Sequence, residues 1–157
     1  MFYTYFCVQK FKSYTVVGEA PMQEHGSYEM KRQDQLIVIT ALYAFNKEGI
    51  LKWAQDYKAL VETIKDEPWA CLCDITQWEL FTPDAWDVID EVNHWCNANN
   101  LKYLVFICDS DIELVQQDML NKSHSVMTNV RVKFCDNIQE AYNWLDSLGF
   151  YHQARNT

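Results

Sequence analysis

Glycine and proline are scarce in this sequence. Its 157 residues include four glycines and three prolines. The loops that wrap a nucleotide phosphate, G-x-G-x-x-G and Walker A, need several closely spaced glycines. The glycines are too few and too far apart for either motif, so the sequence excludes the common phosphate-binding loops.

Long apolar runs and excess positive charge are also missing. No stretch approaches the roughly 18–20 apolar residues of a membrane-spanning helix, and the first residues lack the basic segment of a signal peptide. There are 13 basic residues against 22 acidic ones, a net charge of −9. This charge favours neither nucleic acid nor an anionic membrane. We therefore expect a cytoplasmic protein with no nucleic-acid partner and no membrane insertion.

Histidine and cysteine show no metal-binding spacing. The four histidines are scattered along the chain, without the HxxxH or Cys/His pairs of a zinc site. Cys71, Cys73, Cys108 and Cys135 lie in apolar runs, where a free thiol behaves as a small hydrophobic side chain. The sequence predicts reduced cysteines, with no cofactor, no bound metal and no catalytic residue set.

The chain has enough hydrophobic residues to form the core of one domain. Hydrophobic residues make up 49% of the sequence, and a chain of this length can bury a substantial core. Residues 1–21 show no sustained period and end near a Gly and a Pro, so we interpret them as an N-terminal extension. The remaining pattern predicts a single domain over residues 22–151 and a tail over 152–157.

Within that domain, strand patterns alternate with helix patterns. The predicted strands are Tyr28–Arg32, Leu36–Leu42, Trp69–Cys73, Leu101–Cys108 and Val130–Phe134. Apolar residues spaced three and four apart predict four helices, one after each strand from the second onward, at 46–64, 82–96, 109–119 and 138–148. Asn46 and the Thr82-Pro83-Asp84 sequence are typical helix starts.

The element order is therefore ββαβαβαβα. Strands that alternate with helices require right-handed crossovers and a parallel sheet. The sequence thus predicts an α/β fold, with a mainly parallel five-stranded sheet, an N-terminal antiparallel hairpin and four helices.

Three of the predicted strands are followed by an aspartate: Asp74, Asp109 and Asp136. Because the carboxyl ends of parallel strands share one edge of a sheet, these carboxylates could together hold Mg²⁺. A simpler interpretation is that Asp109 and Asp136 cap the helices that follow them. A Mg²⁺-dependent hydrolase is therefore a third hypothesis for this chain.

Large apolar side chains cluster after the predicted strand at 69–73. We predict a loop over residues 74–81, which contains Trp78, Leu80 and Phe81, with Trp86 close behind in the next helix. Such residues either pack into the core or, if exposed, mark a partner or ligand surface. The candidate surface residues are Asp74, Thr76, Trp78, Phe81, Thr82 and Trp86.

A family resemblance extends over about residues 24–150. It is carried by Tyr43 to Ile50, Trp53, Pro68-Trp69-Ala70 with Asp74, Thr82-Pro83, and Ala141 to Leu145 before Gly149-Phe150. Together these segments resemble the SpoIIAA-like group of the STAS superfamily (sulfate transporter and anti-sigma factor antagonist). This superfamily is grouped structurally with CRAL-TRIO-like folds. The resemblance implies a STAS-like domain.

The resemblance also implies a function. It indicates a non-enzymatic regulatory domain that binds a protein partner, or a second copy of itself as a homodimer. The CRAL-TRIO relation implies an alternative, a carrier or sensor of a small apolar ligand.

Well-understood STAS members are switched by phosphorylation of a Ser or Thr near the start of the helix that follows the third strand. By position, Thr82 or Thr76 would take the phosphate here, although Thr82 is also a natural helix cap. The phosphoswitch subgroup has Asp-Ser-Ser-Gly at this place, whereas residues 74–82 contain neither Ser nor Gly. The resemblance therefore does not extend to an intact phosphoswitch motif.

Overall fold

The computed structural model describes residues 13–18, 25–109, 118, 120–123 and 125–151. In these ranges six strands form one sheet, in the order β1-β2-β3-β4-β5-β6. The strands are β1 (Ser13–Gly18), β2 (Ser27–Gln33), β3 (Leu36–Phe45), β4 (Trp69–Phe81), β5 (Leu101–Ile107) and β6 (Arg131–Cys135). The bounded helices are α1 (Lys47–Val61), α2 (Ala85–Ala98) and α3 (Ile138–Ser147), and residues 120–123 are also helical.

The sheet is mixed in the way the sequence predicts. The pairs β1–β2 and β2–β3 are antiparallel, whereas β3 to β6 run parallel. This confirms an α/β fold with a mainly parallel sheet and an N-terminal antiparallel part. The predicted helix over 109–119 falls almost entirely outside the described residues.

The predicted number of five strands is wrong by one, because Ser13–Gly18 forms β1. This segment pairs with β2 from Ser13 opposite Gln33 to Gly18 opposite Tyr28. A six-residue strand with a neighbour on one side needs no long apolar run, so its pattern is too weak to stand out. It lies within the segment interpreted as an N-terminal extension, and the domain boundaries themselves remain a prediction.

Helices cover both faces of the parallel strands. On one face, Ile37 and Ile39 of β3 belong to a large core that also contains Ile50 of α1 and Val92 of α2. On the other face, β-strand residues such as Leu72 pack in a smaller core with Ala141 and Leu145 of α3. Parallel strands covered on two sides need apolar residues on both, which explains the continuous apolar runs in the sequence.

Helix α1 begins as predicted. The Asn46 side chain accepts hydrogen bonds from the backbone N–H of Gly49 at 2.9 Å and of His25 at 3.0 Å. One side-chain oxygen therefore caps the helix and fastens the segment before β2 to it.

The other two predicted caps are displaced. Asp84, not Thr82, occupies the N-cap of α2, and the Thr82 hydroxyl donates to the Asp84 carboxylate at 2.6 Å. At α3 the cap is Asn137, which accepts from the Glu140 N–H at 2.9 Å, rather than Asp136. In both places neighbouring residues have side chains suited to capping, so the sequence alone does not decide between them.

Candidate functional site

Strand β4 extends well beyond its predicted end. Its pairing with β5 stops at Asp74 opposite Ile107, but its pairing with β3 continues to Phe45 opposite Phe81. The predicted loop over 74–81 is therefore wrong, because these residues are strand. Residues 40–45 of β3 and 74–81 of β4 continue past the end of β5, with β2 beside them only as far as Leu42. We name this part of the sheet the β3–β4 ribbon.

Two register shifts explain why the ribbon escaped sequence prediction. One falls between Thr40 and Leu42, the other between Tyr43 and Phe45. Each bulge adds a residue to one strand and breaks the period of two by which strands are recognised. Tyr43, at the second bulge, has a φ of +65°, a left-handed conformation that is uncommon outside glycine.

Three of the predicted site residues pack against one another: Trp78 and Phe81 of the ribbon and Trp86 of α2. The Trp78 ring lies 4.7 Å from that of Phe81, and the Trp86 ring lies 5.0 Å from Phe81 and 6.4 Å from Trp78. Trp78 is only 5% exposed, and Phe81 and Trp86 pack partly buried against the large core. Trp78 therefore belongs to the core, and its side chain does not contribute to an exposed surface.

The polar candidates form local hydrogen bonds. The Asp74 carboxylate accepts from the Thr76 backbone N–H at 3.0 Å and from the Thr76 hydroxyl at 2.7 Å. Thr76 and Thr82 are both exposed, and each hydroxyl donates to an acidic side chain two residues away. Among the described residues, no group of three His, Cys, Asp or Glu is arranged to hold a metal ion. Asp74, Asp109 and Asp136 therefore do not form such a site.

The solvent-exposed surface of the ribbon includes two apolar residues, Tyr43 and Leu80, that were not among the predicted site residues. We call this surface the outer side of the ribbon. Tyr43 is 59% exposed and Leu80 is 44% exposed. Simple alternation would put Leu80 on the same inward face as Trp78, but the bulge between Trp78 and Phe81 disrupts that alternation. The weak signal available from sequence was the dense apolar content of residues 78–81.

A cavity lies under the ribbon, between the sheet and helices α1 and α2. Its volume is about 90 Å³, and its wall includes Phe45, Trp53, Tyr57, Trp78 and Phe81. The wall formed by the described residues contains no Asp, Glu, Lys or Arg. These residues therefore enclose a mostly apolar space with aromatic and aliphatic side chains.

Buried thiols lie beside this cavity. The sulfur atoms of Cys71 and Cys73 are 3.6 Å apart, and the hydrogen bond to Cys71, together with burial, raises the pKa of Cys73 well above its usual value. Burial, reinforced by nearby Cys71, raises the pKa of the Cys96 thiol to about 12. The Cys73 and Cys96 thiols are therefore protonated at neutral pH. The five cysteines among the described residues are free.

Cys96 is expected to resist iodoacetamide at pH 8 in the folded protein and to react in guanidinium. The thiolate is the reactive form, and a pKa of about 12 keeps the folded thiol protonated. In the unfolded chain the pKa returns to about 8.5, so reactivity rises steeply between pH 7 and 9. Peptide mass spectrometry after timed labelling measures both rates. Equal rates in the two states would contradict the burial of this thiol.

The fold has matches among solved structures, although the sequence matches no protein-family model and no curated protein. One match is an uncharacterized protein of the DUF3478 family with a SpoIIAA-like fold from Shewanella loihica PV-4. It has a TM-score of 0.60 and 15% identity, over 82% of this chain and 99% of that one. This chain has a SpoIIAA-like fold.

A second match is the anti-sigma factor antagonist SpoIIAA in its unphosphorylated form. It has a TM-score of 0.54 and 6% identity, over 81% of this chain and 100% of that one.

The match confirms the predicted SpoIIAA-like resemblance at the level of the fold. Within the described ranges of this SpoIIAA-like chain, no helix has both the length and the apolar character needed to cross a membrane.

Proposed function

We propose that this SpoIIAA-like chain is a cytoplasmic regulatory domain that binds a protein partner and has no catalytic activity of its own. Its contact surface is the outer side of the β3–β4 ribbon with the start of α2. The observation that carries the proposal is the exposure of Tyr43 and Leu80 on the ribbon. Among the described residues four large hydrophobic side chains are exposed, and these are two of them. Leu80 lies two residues after Trp78, the strand partner of Tyr43, and exposed apolar groups that adjoin one another are typical of interaction sites.

The rim of this surface is acidic. Glu79, Asp84 and Asp87 are exposed around the end of β4 and the start of α2. Complementary charge speeds association and selects partners. The partner surface should therefore combine an apolar centre with basic residues. The match to SpoIIAA, an anti-sigma factor antagonist, also supports a role in protein interaction.

The hydrogen bonds of the two candidate phospho-acceptors support a domain without a phosphoswitch. A phosphate on Thr76 would replace the proton donated to Asp74, and one on Thr82 would do the same beside Asp84. In each case negative charge would meet a carboxylate, which is unfavourable. We infer that partner binding is not controlled by phosphorylation at these two residues.

Leu80→Asp is expected to reduce partner binding by tenfold or more. A charge in the apolar centre of an interface removes a buried contact and must itself be desolvated, and about 1.4 kcal/mol corresponds to tenfold. Affinity capture from the native cell, followed by titration of the recovered partner, measures the effect. Leu51→Asp is the matched control, because Leu51 is 43% exposed but lies on α1.

Two results would contradict this proposal. Equal losses in Leu80→Asp and Leu51→Asp would show that the ribbon is not the contact surface. A wild-type chain that recovers no partner, and that is monomeric by light scattering at high concentration, would exclude both a heterologous partner and a homodimer.

A further inference from the structure

The cavity under the ribbon is larger than a packing defect. Protein interiors contain few voids larger than one water molecule, which needs about 10–15 Å³. An apolar cavity of about 150 Å³ holds benzene. At about 90 Å³, this cavity has room for a molecule smaller than benzene.

One polar group in the cavity wall has no partner. Trp78 lines the cavity and is 95% buried, since only 5% of it is exposed. Its indole Nε1–H has no hydrogen-bond acceptor among the described residues. Buried donors are nearly always paired, because an unpaired one loses its hydrogen bond to water without replacement.

Another polar side chain on the wall already has a partner. The Asn93 side-chain amide donates to the Ser123 hydroxyl at 2.8 Å. The unmet requirement in the wall is therefore for an acceptor beside Trp78. Because none of the described wall residues is an Asp, Glu, Lys or Arg, a charged ligand would lose its hydration there without compensation.

We propose that this cavity binds a compact, uncharged, largely apolar molecule with a single hydrogen-bond acceptor, such as a short ketone, aldehyde or ether. The Trp78 Nε1–H donates to the acceptor, and the surrounding aromatic and aliphatic side chains enclose the rest of the molecule. The site lies on the inner side of the ribbon and is independent of the proposed partner surface on the outer side.

Two probes of the same shape test this assignment. Butan-2-one carries an acceptor, whereas 2-methylbut-1-ene replaces the oxygen with a CH₂ group. Dissociation constants for both are measured by ligand-observed NMR on the wild-type chain, on Trp78→Phe and on Trp86→Phe. The Trp86 Nε1–H is also buried and has no partner in the described part of the chain. Trp86 is not among the residues that line the cavity, so Trp86→Phe is the matched control.

Trp78→Phe is expected to shift the preference for ketone over alkene about tenfold toward the alkene, as the loss of one hydrogen bond implies. Trp86→Phe should leave the preference unchanged. Because each preference is a ratio within one variant, changes in cavity shape or stability affect both probes alike. In the wild-type chain, the indole proton of Trp78 should also move downfield when butan-2-one binds.

Three results would overturn the proposal. Failure of both probes to bind the wild-type chain would exclude a ligand site of this size. An unchanged ratio in Trp78→Phe would exclude recognition through Nε1–H. A Trp78 indole proton that does not move with saturating butan-2-one would do the same without any substitution.

Discussion

Trp69→Ala is expected to lower the free energy of unfolding by about 3–5 kcal/mol, the usual cost of removing a large buried aromatic side chain. Trp69 opens β4 and is 0% exposed. Its Nε1–H donates to the Asn99 carbonyl oxygen at 2.6 Å, and its ring meets that of Tyr57 edge to face at 6.2 Å. The substitution would leave a cavity and an unpaired carbonyl at the junction of β4, α1 and the end of α2.

A loss of this size is a large part of the total stability of a domain, about 5–15 kcal/mol. Guanidinium titration followed by circular dichroism measures it. Trp144→Ala is the matched control, because Trp144 on α3 is only partly buried against the smaller core and should cost clearly less. Equal losses in the two variants would contradict the central position assigned to Trp69.

Gly49→Ala is expected to destabilise the protein by about 2–3 kcal/mol, as overpacking does. In an ordinary helix the same change stabilises by about 1 kcal/mol, so the sign itself is diagnostic. Gly49 lies in the first turn of α1, and a Cβ atom there would press against the His25 carbonyl oxygen. Because the clash is with backbone, no side-chain rotation can relieve it.

The control for this prediction is Gly149→Ala. Gly149 has a φ of +82°, and nothing lies within 4 Å of its added Cβ. Only conformational strain remains there, about 1–2 kcal/mol. Thermal and chemical denaturation of both variants give the comparison. A Gly49→Ala variant more stable than wild type would mean that the chain before β2 does not cross the start of α1.

The fold was predictable where local signals agree with the tertiary structure. The apolar run from Leu36 to Leu42 marks a central strand because both of its faces are covered, and Asn46 marks a helix start because capping is a local interaction. Strand β1 and the second half of β4 were missed for the opposite reason. The pattern of β1 is too short and too weak to stand out, and the bulges near Tyr43 break the regular alternation of β4.

The candidate site was less predictable than the fold. The sequence composition indicated the aromatic cluster of Trp78, Phe81 and Trp86, but it did not show which of these side chains are buried. The bulge determines the burial, since Trp78 before it is buried and Leu80 within it is exposed. The cavity is also lined by residues of β3, β4, β5, α1, α2 and the helical segment 120–123. These elements meet only in the folded chain, so no spacing in the sequence reveals the cavity.

The strands lie in the sheet in the same order as in the chain. Each new strand therefore adds to the edge formed by the one before it, and no strand has to insert between two that are already paired. Such an arrangement keeps the sequence separation of paired strands as short as parallel crossovers allow, and a shorter separation favours faster folding. During synthesis, when each strand from β2 onward leaves the ribosome, the strand it pairs with has already been synthesised. The sheet can therefore form strand by strand during translation.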